Sequence, residues 1–476
     1  MLIEELKQVV GAKGVLSDRN ELRVYESDGF PIAKGLPTVA VFPADTNQVA
    51  MCVKIARHHD LPIVPRGSGT GLCGGATVFD GGVLISTSRM NQIEQVDVEN
   101  RFAVVQAGVR NLALSESIAN TGLRYSPDPS SQRASTIGGN VSTNAGGINT
   151  LKHGVTTNHI LGIELVLHDG SILQTRTGGL YDGIGPDLPG LICASEGTFG
   201  IVTRVWCRLV RQPEYVRTIY ALFESNFDAC KTVTDVIAAG ILPTSMEMMD
   251  AGMIQIIETA FQFGFDTSAG AMLLIEIDGI ERVLDEEMNQ IARIAQDNNP
   301  IDIQQCADPK HRLKLWSARK KAFGAIGRVS HSYCTQDACV PRSMLPQVLQ
   351  TVCDIGKQWN VRIVNVFHAG DGNIHPILLF DEENPKDVQR VMQCSEKILE
   401  YCISVGGTVT GEHGIGVEKI HLMDQMFGHH TLETFKHIRH AFTADEAFNE
   451  GKLIPSDRIR IELTQPVAPN VPGGAY

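Results

Sequence analysis

Ile63-Val64-Pro65-Arg66-Gly67-Ser68-Gly69-Thr70-Gly71-Leu72-Cys73-Gly74-Gly75 decides the fold, because a short strand here runs into Gly69-x-Gly71-x-x-Gly74. That spacing is the literal fingerprint of a dinucleotide-binding βαβ unit. In such a unit a helix begins within the glycines and turns its N-terminus to the pyrophosphate. Here the chain continues Ala76-Thr77-Val78-Phe79-Asp80-Gly81-Gly82, which has no helical period. The doubly wound reading is therefore rejected. Closely spaced glycines still let backbone N–H groups converge on a phosphate; the alternative is a glycine-rich surface loop.

Around this stretch the first ~210 residues mix short helices and strands. Asp45-Thr46-Asn47 opens a helical pattern through Val49, Cys52, Val53, Ile55 and Ala56 that ends before Leu61-Pro62. Strands are expected at 83–87 and 102–107, a helix over 112–120 stopped by Gly122, and a hairpin over 161–173 around Asp169-Gly170. A second glycine-rich region, Ser135-Thr136-Ile137-Gly138-Gly139-Asn140-Val141-Ser142-Thr143-Asn144-Ala145-Gly146-Gly147, places two Gly-Gly pairs near asparagines. It suits backbone wrapped round a large planar polar ligand; Ile137 and Val141 count against a flexible linker. Two such loops imply one extended diphosphate cofactor. After Arg211-Gln212-Pro213 the texture changes to longer helices, expected over 226–239, 283–297, 309–326, 344–359 and 385–404, alternating with strands such as 271–277. A boundary falls near 213–216, and the Pro- and Gly-rich tail after Leu463 is expected to fray.

In the second half, Val366-Phe367-His368-Ala369-Gly370-Asp371-Gly372-Asn373-Ile374-His375-Pro376 reads as a hairpin. Asp371-Gly372 suits a two-residue loop, whose positions both need positive φ. That loop pairs Asn373 with Gly370, Ile374 with Ala369 and His375 with His368, with Cβ atoms about 4.5–5.5 Å apart. Two imidazoles so placed can share a divalent metal, and Glu412 of Gly411-Glu412-His413-Gly414 is a natural third ligand. A His2Glu set leaves a position open for water or substrate, as catalytic sites do. Two polar hairpin histidines without a metal are the plainer reading.

The chain has 476 residues, too many for one ordinary core, and a composition typical of globular proteins. A net charge of −13 argues against nucleic acid, and an anionic substrate would need local cations. No apolar run reaches membrane-span length, and Met1-Leu2-Ile3-Glu4-Glu5-Leu6-Lys7 is too acidic for a secretory signal, so a cytoplasmic protein is expected. The 11 cysteines include no Cys-x-x-Cys pair, which reads as reduced thiols and leaves no iron–sulfur cluster on this chain.

Several of these segments resemble the vanillyl-alcohol oxidase/PCMH-type flavoproteins: Pro65-Arg66-Gly67-Ser68-Gly69-Thr70-Gly71, Pro127-Asp128-Pro129-Ser130-Ser131, Ile137-Gly138-Gly139-Asn140 with Asn144-Ala145-Gly146-Gly147, and Ser195-Glu196-Gly197-Thr198-Phe199-Gly200. The histidine hairpin and Gly411-Glu412-His413-Gly414-Ile415-Gly416 resemble the family's 2-hydroxy-acid branch, which includes the D subunits of glycolate oxidases and the FAD-linked D-lactate dehydrogenases. The resemblance implies an α+β protein. A PCMH-type FAD-binding domain of two α/β subdomains would span 1–214, an antiparallel-sheet cap with flanking helices and the metal site 215–430, and a segment returning to the FAD domain 431–476. It implies FAD contacts from Arg66, Gly67, Ser68, Gly69, Thr70, Gly71, Pro127, Asp128, Ser131, Gly138, Gly139, Asn140, Asn144, Gly146, Gly147, Glu196, Gly200, Ile201 and Asn449. Some relatives attach FAD through a histidine of the first loop; Gly69 or Thr70 stands there, so FAD is expected to be non-covalent.

The same resemblance implies hydride transfer from a small 2-hydroxy acid to flavin N5, with zinc, manganese or iron on His368, His375 and Glu412 assisting deprotonation. His413 is the base, or else a fourth ligand or a donor to one. Arg319 matches the carboxylate-binding arginine, and Asn373 contacts the substrate or a ligand. Relatives acting on 2-hydroxyglutarate carry an extra lysine where Tyr333-Cys334-Thr335-Gln336-Asp337 has no cation, which favours glycolate or D-lactate. Electrons would leave to a quinone, a carrier, O2 or partner subunits with flavin or iron–sulfur centres, with peripheral membrane association through such partners. A metallohydrolase and a non-catalytic flavin subunit are the rival readings.

Overall fold

The computed structural model of the chain describes residues 1–79, 81–176, 185–306 and 308–456. The tail after Leu463 lies outside them. The first sheet has the strand order Val15–Leu16, Val39–Val41, Val83–Ser86, Ile63–Arg66, the last three mutually parallel. Helix Thr46–His58 makes the crossover and buries Val49, Cys52, Val53 and Ala56 on the sheet. Its N-terminus is set by Asp45, whose Oδ1 accepts from Gln48 N at 2.9 Å. Residues 67–79 contain no helix, so the glycines after Ile63–Arg66 do not build a doubly wound unit.

A five-stranded antiparallel sheet follows, ordered Ile93–Asp97, Phe102–Gln106, Ile201–Arg208, Ile160–Val166, Ile172–Gln174. The last pair is the expected hairpin around Asp169-Gly170. The second glycine-rich region departs from expectation: Ile137–Thr143 is a helix, capped by Thr136 Oγ1 accepting from Gly139 N and ended by Asn144 at φ 54°. Two glycines cost such a helix about 1 kcal/mol each. Packing overrides that preference, since a Cβ on Gly138 would lie 2.6 Å from Ala107 Cβ.

The largest sheet of the described residues is antiparallel throughout, running Pro300–Cys306, Tyr215–Phe223, Ala271–Gly279, Ser245–Asp250, Arg362–His368 before it forks. One branch continues to Asn373–Ile374 and Ala338–Cys339, the other to Pro376–Phe380 and Ser332–Thr335. Ile219, Ala221 and Phe223 face helices Asn226–Ala238, Glu281–Gln296, Leu345–Trp359 and Pro385–Ser404, while Tyr220 and Leu222 face Ala251–Phe261 and Ala322–Ile326. Both faces are thus buried, which is why Ala271–Gly279 begins as an uninterrupted apolar run. Helix His429–Phe442 then leads the chain back: Phe442 stacks on Phe199, and Phe448 pairs with Ile63 at the edge of the first sheet.

The histidine hairpin is corrected in register. His368 pairs with Asn373 and not with His375, so the loop is Ala369-Gly370-Asp371-Gly372, with positive φ at Gly372 alone (78°). Neighbouring chain draws the two extra residues into the turn: Val340 N donates to Gly372 O at 3.0 Å and Arg342 Nη1 to Gly370 O at 3.2 Å. The slip is even-numbered. Asn365 pairs with Pro376, so His375 falls opposite Val366, diagonal to His368 and on the same face.

Candidate active site

His368 ends its strand, His375 occupies the break between Asn373–Ile374 and Pro376–Phe380, and Glu412 arrives on the loop after Val409. Nε2 of each histidine lies 3.2 Å from Glu412 Oε1, and the two rings stand at 86° with centroids 5.2 Å apart. Donors bound at 2.0–2.2 Å around a tetrahedral ion are about 3.4 Å from one another. Both distances to Glu412 are close to that spacing, and the three donor atoms all lie within 4.8 Å of one another, so the set suits a divalent ion. His413 stacks on His375 at 4.9 Å, and its Nε2 lies 3.9 Å from Glu412 Oε1. It also groups with Asp337 and His375 as an overlapping donor set.

Two carboxylates hold the ligand loop. Asp337 Oδ2 accepts from Thr410 Oγ1 (2.6 Å) and from the backbone N–H groups of Gly411 (2.9 Å), Glu412 (3.1 Å) and His413 (2.8 Å). Burial acts to raise Asp337, but His413, Lys419 and His375 hold it well below the usual carboxylate range. From the other side Glu196 accepts from Ile415 N at 2.6 Å and Gly416 N at 2.7 Å. Gly146 sits against the cluster itself: a Cβ there would meet Glu412 Oε2 at 2.8 Å.

One cavity of about 370 Å³ joins these groups to the glycine-rich loops. Of the expected cofactor contacts, Arg66, Gly67, Ser68, Gly69, Thr70, Gly71, Ser131, Gly138, Gly139, Asn140, Glu196, Gly200, Ile201 and Asn449 line it. So do Arg319, His368, His375, Glu412 and His413, with Lys320, Phe323 and Tyr333 beside them. The volume is within the ordinary range of ligand sites, about 300–1,000 Å³. Ser68 Oγ bonds the Ala134 carbonyl and ties the two loops together. Gly69 has φ 72°, and a Cβ there would overlap the Arg66 guanidinium, which is fixed to the carbonyls of Ser27 and Ala76. A larger residue at that point would have to displace the Arg66 guanidinium from those carbonyls.

Known proteins place this architecture. Residues 37–176 match the family described as FAD binding domain, and residues 212–453 match FAD linked oxidases, C-terminal domain. The chain is 40% identical to glycolate oxidase subunit GlcD of Escherichia coli (strain K12) over 451 residues, 95% of this chain and 90% of that one. The chain belongs to the FAD-linked oxidases. It is also 31% identical to a probable mitochondrial D-lactate dehydrogenase of Danio rerio, over 90% of this chain and 85% of that one. Its fold is that of p-cresol methylhydroxylase, with a TM-score of 0.80 at 17% identity over 95% of this chain and 96% of that one. The fold is thus of the PCMH type, and FAD is the cofactor.

Within this FAD-linked oxidase the remaining expected residues are placed off the cavity. Asp128 accepts from Asn149 N at 3.2 Å, and its carbonyl lies against Gly147. Asn144 accepts from Thr157 N, and Asn373 touches Gly411 from behind. Three residues escaped sequence reasoning. Glu247 accepts from His368 Nδ1 at 2.6 Å and from Arg319 Nε at 2.7 Å. Asp337 is marked in the sequence only as the end of Tyr333-Cys334-Thr335-Gln336-Asp337, a stretch without a cation. Lys452 donates to the carbonyls of Gly75 and Thr77 and to Asn449 Oδ1, fixing the returning segment to the first loop. A lone acid amid Met246, Met248 and Met249 was the one available signal for Glu247.

Charge in the cluster is balanced internally. Burial alone would lower His368, but Glu247 and Glu412 raise it well above the usual imidazole range. Glu412, which burial would raise, is held well below its usual range by His368 and His375. His413 differs: burial drives it down to about 4, only partly opposed by Asp337, and its Nδ1 has no hydrogen-bond partner.

Proposed function

We propose that this chain oxidises glycolate or D-lactate to the 2-oxo acid, with non-covalent FAD receiving the hydride. The observation that carries the proposal is the single cavity shared by the glycine-rich loops and the His368–His375–Glu412 cluster. When bound, FAD supplies the hydride acceptor and a zinc, manganese or iron ion on the cluster supplies a Lewis acid for the 2-hydroxyl group. The segments 1–214, 215–430 and 431–476 divide the work as FAD-binding domain, cap and returning segment.

Arg319 is 2% exposed, on the cavity wall, and engaged by Glu247 through Nε. Its Nη edge holds the substrate carboxylate in a two-point grip that orients the α-carbon. His413, with its pKa near 4, is neutral at physiological pH and takes the hydroxyl proton at Nε2. The charge it then gains faces Asp337. Asn373 does not line the cavity and packs beside Gly411 of the ligand loop, where it backs Glu412 rather than the substrate. A relative named as a subunit of glycolate oxidase supports partner subunits for this chain, and partners with flavin or iron–sulfur centres would take the electrons onward. No helix of the described residues is long and apolar enough to cross a membrane, which fits a chain that reaches one only through such partners.

The deciding measurement is the visible spectrum of purified protein under anaerobic conditions. Glycolate or D-lactate should bleach the flavin bands, and acid precipitation should release intact FAD. Lys320 also lines the cavity, so D-2-hydroxyglutarate belongs in the same titration. A flavin that none of these acids bleaches would leave a non-catalytic flavin subunit, and a colourless protein a metallohydrolase.

A further inference from the structure

Glu247 lies on the central strand Ser245–Asp250, is 1% exposed, and takes no part in the chemistry above. It is the direct cross-strand partner of His368. Its two carboxylate oxygens are divided: Oε1 accepts from His368 Nδ1 at 2.6 Å and Oε2 from Arg319 Nε at 2.7 Å. We infer that Glu247 is a positioning residue that fixes the metal-binding imidazole and the substrate-binding guanidinium through one shared anion. The inference rests on the functional reading above, which makes His368 a ligand and Arg319 the carboxylate anchor.

The chemistry follows from what each partner can donate. With its Nδ1–H given to Glu247, His368 keeps that proton when an ion displaces the one between Nε2 and Glu412, which leaves the Nε2 lone pair for the metal, and the carboxylate raises the ligand's basicity. Arg319 meets Glu247 through Nε, which leaves the opposite edge of the guanidinium for a substrate carboxylate. A buried guanidinium without an anion would be costly, so Glu247 is what lets Arg319 wait in the site before substrate arrives. Only a carboxylate can serve both neighbours, because both are donors. An amide in its place offers one accepting and one donating edge and must fail one of them.

The test uses the FAD-loaded protein and two variants, with zinc affinity measured against a chromophoric chelator and kcat and KM measured separately for the active 2-hydroxy acid. Glu247→Gln should lower zinc affinity by about 10–100-fold and raise KM, with flavin content unchanged. A merely structural residue would instead lower flavin content or kcat and leave KM alone. In Glu247→Gln/Arg319→Gln the amide oxygen is freed for His368, so zinc affinity should recover toward wild type while KM stays high. This double variant leaves no unpaired buried charge, and it carries the test should Glu247→Gln alone not fold. Wild-type zinc affinity and KM in Glu247→Gln would overturn the inference, as would zinc binding that stays weak in the double variant. Failure of the wild-type protein to bind any divalent metal would defeat the functional reading as well, and so is distinguishable from failure of this inference alone.

Discussion

The two walls of the cavity are made differently. The wall nearer the first two sheets is built from backbone and glycine: Gly67 leaves no room before Thr136, Gly69 none above Arg66, and Gly138 none beside Ala107. The opposite wall is built from buried charge, with Glu247, Asp337, His368 and Glu412 each engaged by two or more partners. A cradle of the first kind is fixed by dihedral angles and close packing, residue by residue. A wall of the second kind is fixed by its members' hold on one another. Removing one of them leaves the others unpaired in a low-dielectric site, where a broken buried pair costs about 3–5 kcal/mol.

That contrast predicts separable losses. His368→Ala, His375→Ala or Glu412→Ala should abolish both metal binding and flavin reduction, yet leave FAD in place, because none of the three supports the glycine loops. His413→Asn should keep most of the metal and slow flavin reduction by about 10²–10⁴-fold. Metal analysis with anaerobic stopped-flow on the four variants checks both statements. If His413→Asn loses metal as fully as the others, it is a ligand and the base lies elsewhere. If any ligand variant also loses FAD, the two walls are not independent.

Gly146 is where the contrast should fail. By sequence it belongs to the second glycine-rich region, but its missing Cβ makes room for Glu412 Oε2 at 2.8 Å. Its φ is not among the positive values, so an alanine suffers no backbone strain and acts only by contact. Gly146→Ala should therefore behave as a weak ligand variant, with metal affinity lowered about tenfold, the lower end for disturbing a ligand's surroundings, and FAD content unchanged. Loss of FAD with metal affinity intact would return Gly146 to the cofactor side.

What could be read from sequence follows the same division. The cradle was legible because its cause is local: Pro65 through Gly75 states its own turns, and the missing helix after them excluded a doubly wound unit. The helix Pro385–Ser404 was read to its terminal residues from periodicity and a Pro start. The charged wall was legible only at its ligands. Ser245-Met246-Glu247-Met248 alternates like a strand with one wet face, but all six residues of Ser245–Asp250 are buried because helices cover both sides of the sheet. Asp337 gave no pattern at all, since its partners are mostly backbone N–H groups more than 70 positions away. The helix Ile137–Thr143 and the four-residue hairpin loop were missed for a related reason: contacts from Ala107 and from Val340 overrode local preference.

Asp128 gives the sharpest test, because it is a buried carboxyl behind the glycine-built wall. Motif resemblance makes it a cofactor contact, but it does not line the cavity, and burial pushes its carboxyl up to about 7, with only partial relief from Lys320 and Asn149 N. An acid raised in the folded state makes folding less favourable wherever the charged form dominates. The penalty is fully present above pH 7, shrinks as pH falls through 7 toward the unfolded value, and is gone below that value. Asp128→Asn keeps an oxygen for Asn149 N and removes the charge. Between pH 5 and pH 8 the wild-type penalty grows by nearly two pKa units, so the variant's stability advantage should be about 2–3 kcal/mol larger at pH 8. Denaturant unfolding of metal-free protein at the two pH values measures it, and FAD affinity measured alongside should not change. An advantage independent of pH would mean Asp128 is ionised at little cost. Weakened FAD binding would put its carboxylate back among the cofactor contacts, beside Arg66 and Glu196 on the glycine-built wall.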